Sequence, residues 1–217
     1  MRKSFREIGK DADKVHTHGY DTIYPTFLEK LRDEEFNMLE IGVNEGDSMN
    51  LWAEYFPSAA IYGIDIDSAW SSDRCTTYKF DQSNPSDLKK IVEIIPKCKF
   101  IIDDGSHVPY HQLITFNELF NNLLEDGGTY IIEDIECNYW RSTETIYGYE
   151  VGYYNIVDYF RKLVDKINSK FSLTKNEMNI STITFGYNCI IITKKTNEQL
   201  LLDKTPYLHL HRLDKNI

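Results

Sequence analysis

The feature that most constrains this chain is a rhythm. Short apolar runs ending in glycine or acid alternate with longer stretches whose apolar residues recur at helical spacing. The runs are Met38–Gly42, Ala60–Ile66, Tyr78–Asp81, Phe100–Ile102 and Tyr130–Ile132. Between them a helix is expected from about Ser48, with Leu51, Trp52, Tyr55 and Phe56 on one face. A second should span Asp87–Ile95 behind Ser86 as N-cap. A third, Pro109–Leu124, carries Leu113, Phe116, Leu119, Phe120 and Leu123 and is stopped by Gly127-Gly128. A fourth covers Asn155–Phe171.

Strands separated by helices build a mostly parallel α/β sheet covered on both faces, and continuous apolar strands such as FIID and YIIED suit its doubly buried centre. Two β-rich runs between Ile180 and Thr193, around Gly186-Tyr187-Asn188, read as an antiparallel hairpin closing one edge. Residues 1–35 are expected to form a helical cap over the mouth of the sheet and 36–217 the main body, so the 217 residues read as one domain.

Composition narrows the partners. Acidic residues number 34 against 24 basic ones, a formal charge of −10. That balance opposes a role in coating nucleic acid, where lysine and arginine must meet phosphate, or in binding an anionic membrane. No run approaches the ~20 apolar residues of a membrane-spanning helix. The start, MRKSFREIGKDADK, has no apolar stretch behind its charges, so no secretory signal is expected. The four cysteines, Cys75, Cys98, Cys137 and Cys189, form no CxxC pair and read as reduced, buried thiols of a cytoplasmic protein.

In a sheet of this kind ligands bind beyond the carboxyl ends of the strands. The first such end is Glu40-Ile41-Gly42-Val43-Asn44-Glu45-Gly46-Asp47-Ser48. Gly42 and Gly46 let the backbone approach a ligand, but Glu40, Glu45 and Asp47 would repel a pyrophosphate. They would accept the sulfonium and amino group of S-adenosylmethionine. Asp65 ends the second run, where an acid meets ribose hydroxyls, and Asp81-Gln82 ends the third, within reach of an adenine edge. Ser48, opening the helix, completes this cofactor set.

The fourth run ends in Asp103-Asp104-Gly105-Ser106-His107 and the fifth in Glu133-Asp134, with Glu136 close behind. Acids crowded on one rim repel one another, and a hard divalent cation such as Mg²⁺ resolves the conflict. Asp104, Glu133 and Asp134 are the expected ligands. Asp103 suits a helix cap instead. His107, beside them, is the expected general base for a hydroxyl acidified by the metal. A His107/His111 zinc pair lacks an HExxH frame, and His209 and His211 are assigned no role. Amino-methylation of nucleic acid would call for an NPPY-like turn where this chain has DDGS.

The segments MLEIGVNEGDSMNLWAEYFPSAAIYGIDID, FDQSNPSDL and IIDDGSHVPYHQLITFNELFNNLLEDGGTYIIEDIE resemble the metal-dependent sugar O-methyltransferases of macrolide biosynthesis, of the mycinamicin and macrocin kind, with cephalosporin hydroxylase-like relatives. The resemblance runs from about Asp13 to Glu136. It implies a class I, Rossmann-like methyltransferase fold and transfer of a methyl group from S-adenosylmethionine to the hydroxyl of a rhamnose-like sugar or glycoside, with Mg²⁺. It also implies metal roles for Asp104, Glu133 and Asp134, a base role for His107, and cofactor roles for Glu40, Gly42, Gly46, Asp65, Asp81 and Gln82. The upstream stretch DKVHTHGYDTIYPTFL is similar to the family's entry segment, which turns Lys14, His18 and Tyr20 toward the acceptor. Past Glu136 the likeness ends. There Tyr139, Trp140 and Tyr149 could stack on a sugar face or serve as core or as a contact between copies of the chain. A catechol-type O-methyltransferase and a non-catalytic cofactor-binding module are the competing expectations.

Overall fold

A computed structural model describes residues 2–67, 71–172 and 178–204. Its strands are β1 (Asn37–Ile41), β2 (Ala60–Asp65), β3 (Cys75–Lys79), β4 (Cys98–Asp103), β5 (Leu124–Glu133), β6 (Thr145–Ile146), β7 (Tyr149–Glu150), β8 (Ile180–Gly186) and β9 (Cys189–Lys194). Its α-helices are α1 (Phe5–Ile8), α2 (Asp13–His16), α3 (Tyr24–Leu28), α4 (Asp47–Tyr55), α5 (Pro85–Ile94), α6 (Pro109–Asn122), α7 (Ile156–Arg161), α8 (Val164–Ile167), α9 (Ser169–Ser172) and α10 (Asn197–Lys204). His209 and His211 lie outside the described residues.

Seven strands form one sheet in the order β3-β2-β1-β4-β5-β9-β8. The first five pair in parallel and the β8–β9 hairpin adds antiparallel to β5, as the alternation of runs and the Gly186-Tyr187-Asn188 turn require. Strand order reverses between β1 and β4, which opens a crevice at their carboxyl ends. Side-chain alternation divides the core in two. Leu39, Ile41, Ile101, Tyr130 and Ile132 pack against α5, α6 and α7. Met38, Phe100, Ile102, Ile131 and Ile191 face the other way, onto α4 and the N-terminal segment. That segment is built from α1, α2, α3 and short 3₁₀ turns, with Tyr20, Tyr24 and Leu28 buried beneath.

Several expected boundaries move. β3 begins at Cys75, because CTTYK is too polar to stand out as an apolar run. The helix after it is capped by Asn84, whose side chain accepts from the Ser86 amide, with Pro85 at the first helical position. Ser86 is therefore inside the helix. α6 ends at Asn122, ahead of Gly127-Gly128. Those glycines lie in β5, where Cys98 pairs with Leu124 but Phe100 with Thr129, so residues 125–128 bulge outward. The helix expected over Asn155–Phe171 is three short pieces.

The carbonyls at the end of α6 receive a buried cation. Lys194 Nζ donates to Phe120 O at 3.0 Å and Leu124 O at 2.9 Å, under the sheet and away from the crevice. An ammonium there meets the negative end of the helix and satisfies acceptors that have no partner within it.

Candidate active site

The crevice holds a cavity of about 1020 Å³. Gly42, Ser48, Asp65, Asp81 and Gln82 line one part of it, and Asp104, His107, Asp134 and His18 the other. Two glycines make this close arrangement possible. Gly42 has φ +85°, and a Cβ there would lie 2.1 Å from the Asp104 carbonyl oxygen. A Cβ at Gly105 would lie 2.2 Å from Gln82 Oε1. The turns after β1 and β4 are thus in direct backbone contact, and the Gln82 side chain from the end of β3 packs on the latter.

Within the expected cofactor set, the side chains do different work. Asp65 Oδ2 accepts from the amides of Val43 and Asn44 at 2.9 and 3.0 Å, and so braces the loop after β1. Gln82 Nε2 donates to Asp103 at 2.9 Å, while its Oε1 accepts from the Ser106 amide at 2.7 Å. Gln82 therefore ties β3 to β4, and Asp103, held by it, is a buried brace and caps no helix. Burial raises the Asp103 carboxyl to about 6. Glu40 is fully buried below the glycine loop, with Ser48 Oγ donating to its Oε2 at 2.8 Å. Burial raises Glu40 to about 7. Gly46, at φ +87°, sets the entry to α4. Gly42, Ser48, Asp65 and Asp81 face the cavity; Glu40 and Gly46 stand behind it.

At the acidic lip, ligand atoms of Asp104, His107 and Asp134 all lie within 4.8 Å of one another. His107 Nε2 is 3.8 Å from Asp134 Oδ2, and its Nδ1 is buried without a hydrogen bond. His107 (φ +56°) and Asp134 (φ +50°) both adopt left-handed backbone, which costs energy outside glycine and gathers at functional sites. Asp134 Oδ1 accepts from Tyr20 Oη and Asn188 Nδ2, each at 2.9 Å, and His18 Nδ1 lies 3.4 Å away. Burial, then the charge on Asp104, raises the Asp134 carboxyl. Two half-buried carboxylates beside an imidazole fit a hard divalent cation that keeps places for water or substrate.

Glu133 is elsewhere engaged. One of its oxygens accepts from Lys14 Nζ and the other from Tyr24 Oη. Lys14 is 1% exposed, and its Nζ also lies 2.6 Å from Asp104 Oδ2 and 3.5 Å from Glu40 Oε1. Burial raises the Glu133 carboxyl well above the usual range. Burial pushes Asp104 the same way, but the Lys14 and His107 charges outweigh it and hold that carboxyl low.

Lys14 and Tyr20, expected to meet the acceptor, are buried and clamp the acids instead, because an ammonium leaves water only where carboxylates surround it. His18 does reach the cavity. Tyr139 and Trp140 are 69% and 41% exposed and lie off it. The aromatic rings at the cavity are Phe80, just after β3, and Tyr147 and Tyr149 of the β6–β7 hairpin. Tyr147 sits with its ring centroid 5.8 Å from that of His107, and Tyr149 packs edge-on to His111 at 4.9 Å. Sequence reasoning assigned no site role to Tyr147, Tyr24 or Asn188. Only the Tyr147-Gly148 turn, between β-prone residues, could have marked the hairpin.

No family model matches the chain. A curated relative, 8-demethyl-8-alpha-L-rhamnosyl tetracenomycin-C 2'-O-methyltransferase of Streptomyces olivaceus, is 31% identical over 202 residues, covering 86% of this chain and 53% of the relative. Demethylmacrocin O-methyltransferase of Streptomyces fradiae is 33% identical over 132 residues, covering 57% of this chain and 33% of the relative. The chain spans about half the length of the first of these and a third of the second. The crystal structure of MycE methyltransferase from the mycinamycin biosynthetic pathway, in complex with Mg and SAH, superposes with a TM-score of 0.79 at 24% identity, over 91% of this chain and 55% of that one. The expected resemblance is thus found in curated sugar O-methyltransferases, and the fold is that of a class I methyltransferase.

Proposed function

We propose that this chain transfers the methyl group of S-adenosylmethionine to a sugar hydroxyl, assisted by a divalent ion held at Asp104 and Asp134 beside His107. The observation that carries this reading is the convergence of Asp104, His107 and Asp134 on one wall of a cavity whose other wall is the glycine loop with Asp65 and Asp81. The activities for which the relatives are named, methylation of a rhamnosyl group in one and of demethylmacrocin in the other, support it.

When bound, the ion would lower the pKa of an acceptor hydroxyl and spread the charge that forms on it. The chain's own residues do the rest. The loop from Gly42 to Ser48 and Asp81 hold the donor; Asp65 keeps that loop in shape. His107 takes the hydroxyl proton on Nε2, the ring nitrogen that faces the acids. Tyr147 and Tyr149 wall the acceptor side. Among the described residues no helix is long and apolar enough to cross a membrane.

The test is methyl transfer from labelled S-adenosylmethionine to a panel of rhamnosides and catechols, with and without chelator. Transfer to rhamnosides that stops with chelator and returns with Mg²⁺ is expected. Transfer only to catechols would move the acceptor class, and no release of label to any acceptor would leave a binding module.

A further inference from the structure

We propose that Lys14 is a positioning residue: its ammonium is a built-in cation between Glu40, Asp104 and Glu133, and it confines a bound divalent ion to the Asp104–His107–Asp134 side of the lip. The second half of this statement rests on the metal reading above; the first does not.

The three acids come from neighbouring strands, β1, the turn after β4, and the end of β5, so the fold delivers them to one point. An ammonium has three N–H donors and no acceptor. Here two N–H groups are taken by Asp104 and Glu133, and the third carboxylate, Glu40, presents a buried oxygen that has no hydrogen bond and lies 3.5 Å from Nζ. With Tyr24 Oη on the remaining Glu133 oxygen, both oxygens of that side chain are committed. A divalent ion cannot share those oxygens with a positive charge already among them. Asp104 is the one acid common to both groups, so Lys14 also fixes the orientation in which Asp104 meets the ion. The neighbouring residues of the same segment act alike, since Tyr20 anchors Asp134. A four-residue helix with no side-chain cap has little reason to hold a buried lysine other than these contacts.

The experiment compares wild type, Lys14→Met, Glu133→Gln and Asp134→Asn, each as the full chain, by Mn²⁺ titration followed by electron paramagnetic resonance and by melting in chelator. Wild type is expected to bind one ion, Glu133→Gln to bind it within about threefold of wild type, and Asp134→Asn to lose about tenfold or more. Lys14→Met should melt lower in chelator, take up a second Mn²⁺ between the vacated acids and recover its melting temperature as it does so. Equal loss of Mn²⁺ affinity in Glu133→Gln and Asp134→Asn would overturn the proposal, because Glu133 would then be a ligand. So would a Lys14→Met chain with unchanged ion count and unchanged melting in chelator. Should Lys14→Met not fold even with Mn²⁺, the pair Glu133→Gln and Asp134→Asn decides. A wild type that binds no Mn²⁺ removes the metal reading, while extra uptake by Lys14→Met still upholds the place of the lysine.

Discussion

Among the described residues three lysines are buried, Lys14, Lys194 and Lys195, and the first two, at opposite ends of the sheet, are held by opposite means. Lys14, at the carboxyl ends of the strands, is surrounded by formal charges, Glu40, Asp104 and Glu133. Burial opposes its charge, yet the acids outweigh burial and its pKa rises well above 10.5. Lys194, below, is held by the carbonyls of Phe120 and Leu124, with Asp126 3.9 Å away. Burial wins there and its pKa falls below 10.5. Peptide dipoles suffice to seat a structural cation. Full carboxylates are assembled only where the fold gathers negative charge for another purpose, and such a cluster is costly without a counter-ion.

The contrast can be tested by chemistry at the upper end first. His107→Ala should lower turnover by about 10²–10⁴-fold, the usual worth of a general base, while the affinity for S-adenosylhomocysteine stays that of wild type. Calorimetry and single-turnover rates would show it, and a variant that keeps wild-type rates would remove His107 as base. Next comes stability. Lys14→Met should cost about 3–5 kcal/mol in chelator, since it strands buried acids. Lys194→Met should cost about 1–3 kcal/mol, the price of carbonyls left without a donor. Urea unfolding of the two, side by side, breaks the comparison if the order reverses. A smaller effect sharpens it. Because the native Lys194 pKa is depressed, the unfolded chain binds more protons between that value and 10.5, and native stability gains with rising pH across this window. Lys194→Met should abolish that gain; an unaltered slope would assign it to another group. Smallest is the thiol response. All four cysteines are buried and free, and burial raises Cys137 and Cys189 to about 12, so a disulfide reagent should label the native chain far more slowly than the unfolded one.

The upper end was also the more legible in the sequence. The order of apolar runs is enough to place the glycine loop, Asp65, Asp81 and the DDGSH and IIED turns on one rim, because a parallel sheet sends every carboxyl end the same way. What it could not show is which acids look into the cavity. Glu133 and Asp134 are neighbours, and period-two alternation in the strand gives no answer once Asp134 turns left-handed at φ +50°. Nor does a lysine in a short polar stretch announce that it is buried, since lysines almost never are without partners, and the partners of Lys14 lie up to 119 residues away. β3 and the Gly127-Gly128 bulge were misplaced for a local reason: polar strands and strand glycines look like loops until a neighbouring strand pairs with them.

One hydrogen atom has a long reach here. Position 42 tolerates nothing larger, because the first carbon of any side chain would collide with the Asp104 carbonyl. The glycine turn after β1 and the turn that carries Asp104 are therefore seated on each other like two stones with no mortar between them. Neither can be lengthened, rotated or retuned alone. Under the proposed reading, variation in the acceptor enters from the far bank of the cavity, through the tyrosine hairpin and the helical cap, while the distance between the two turns stays fixed.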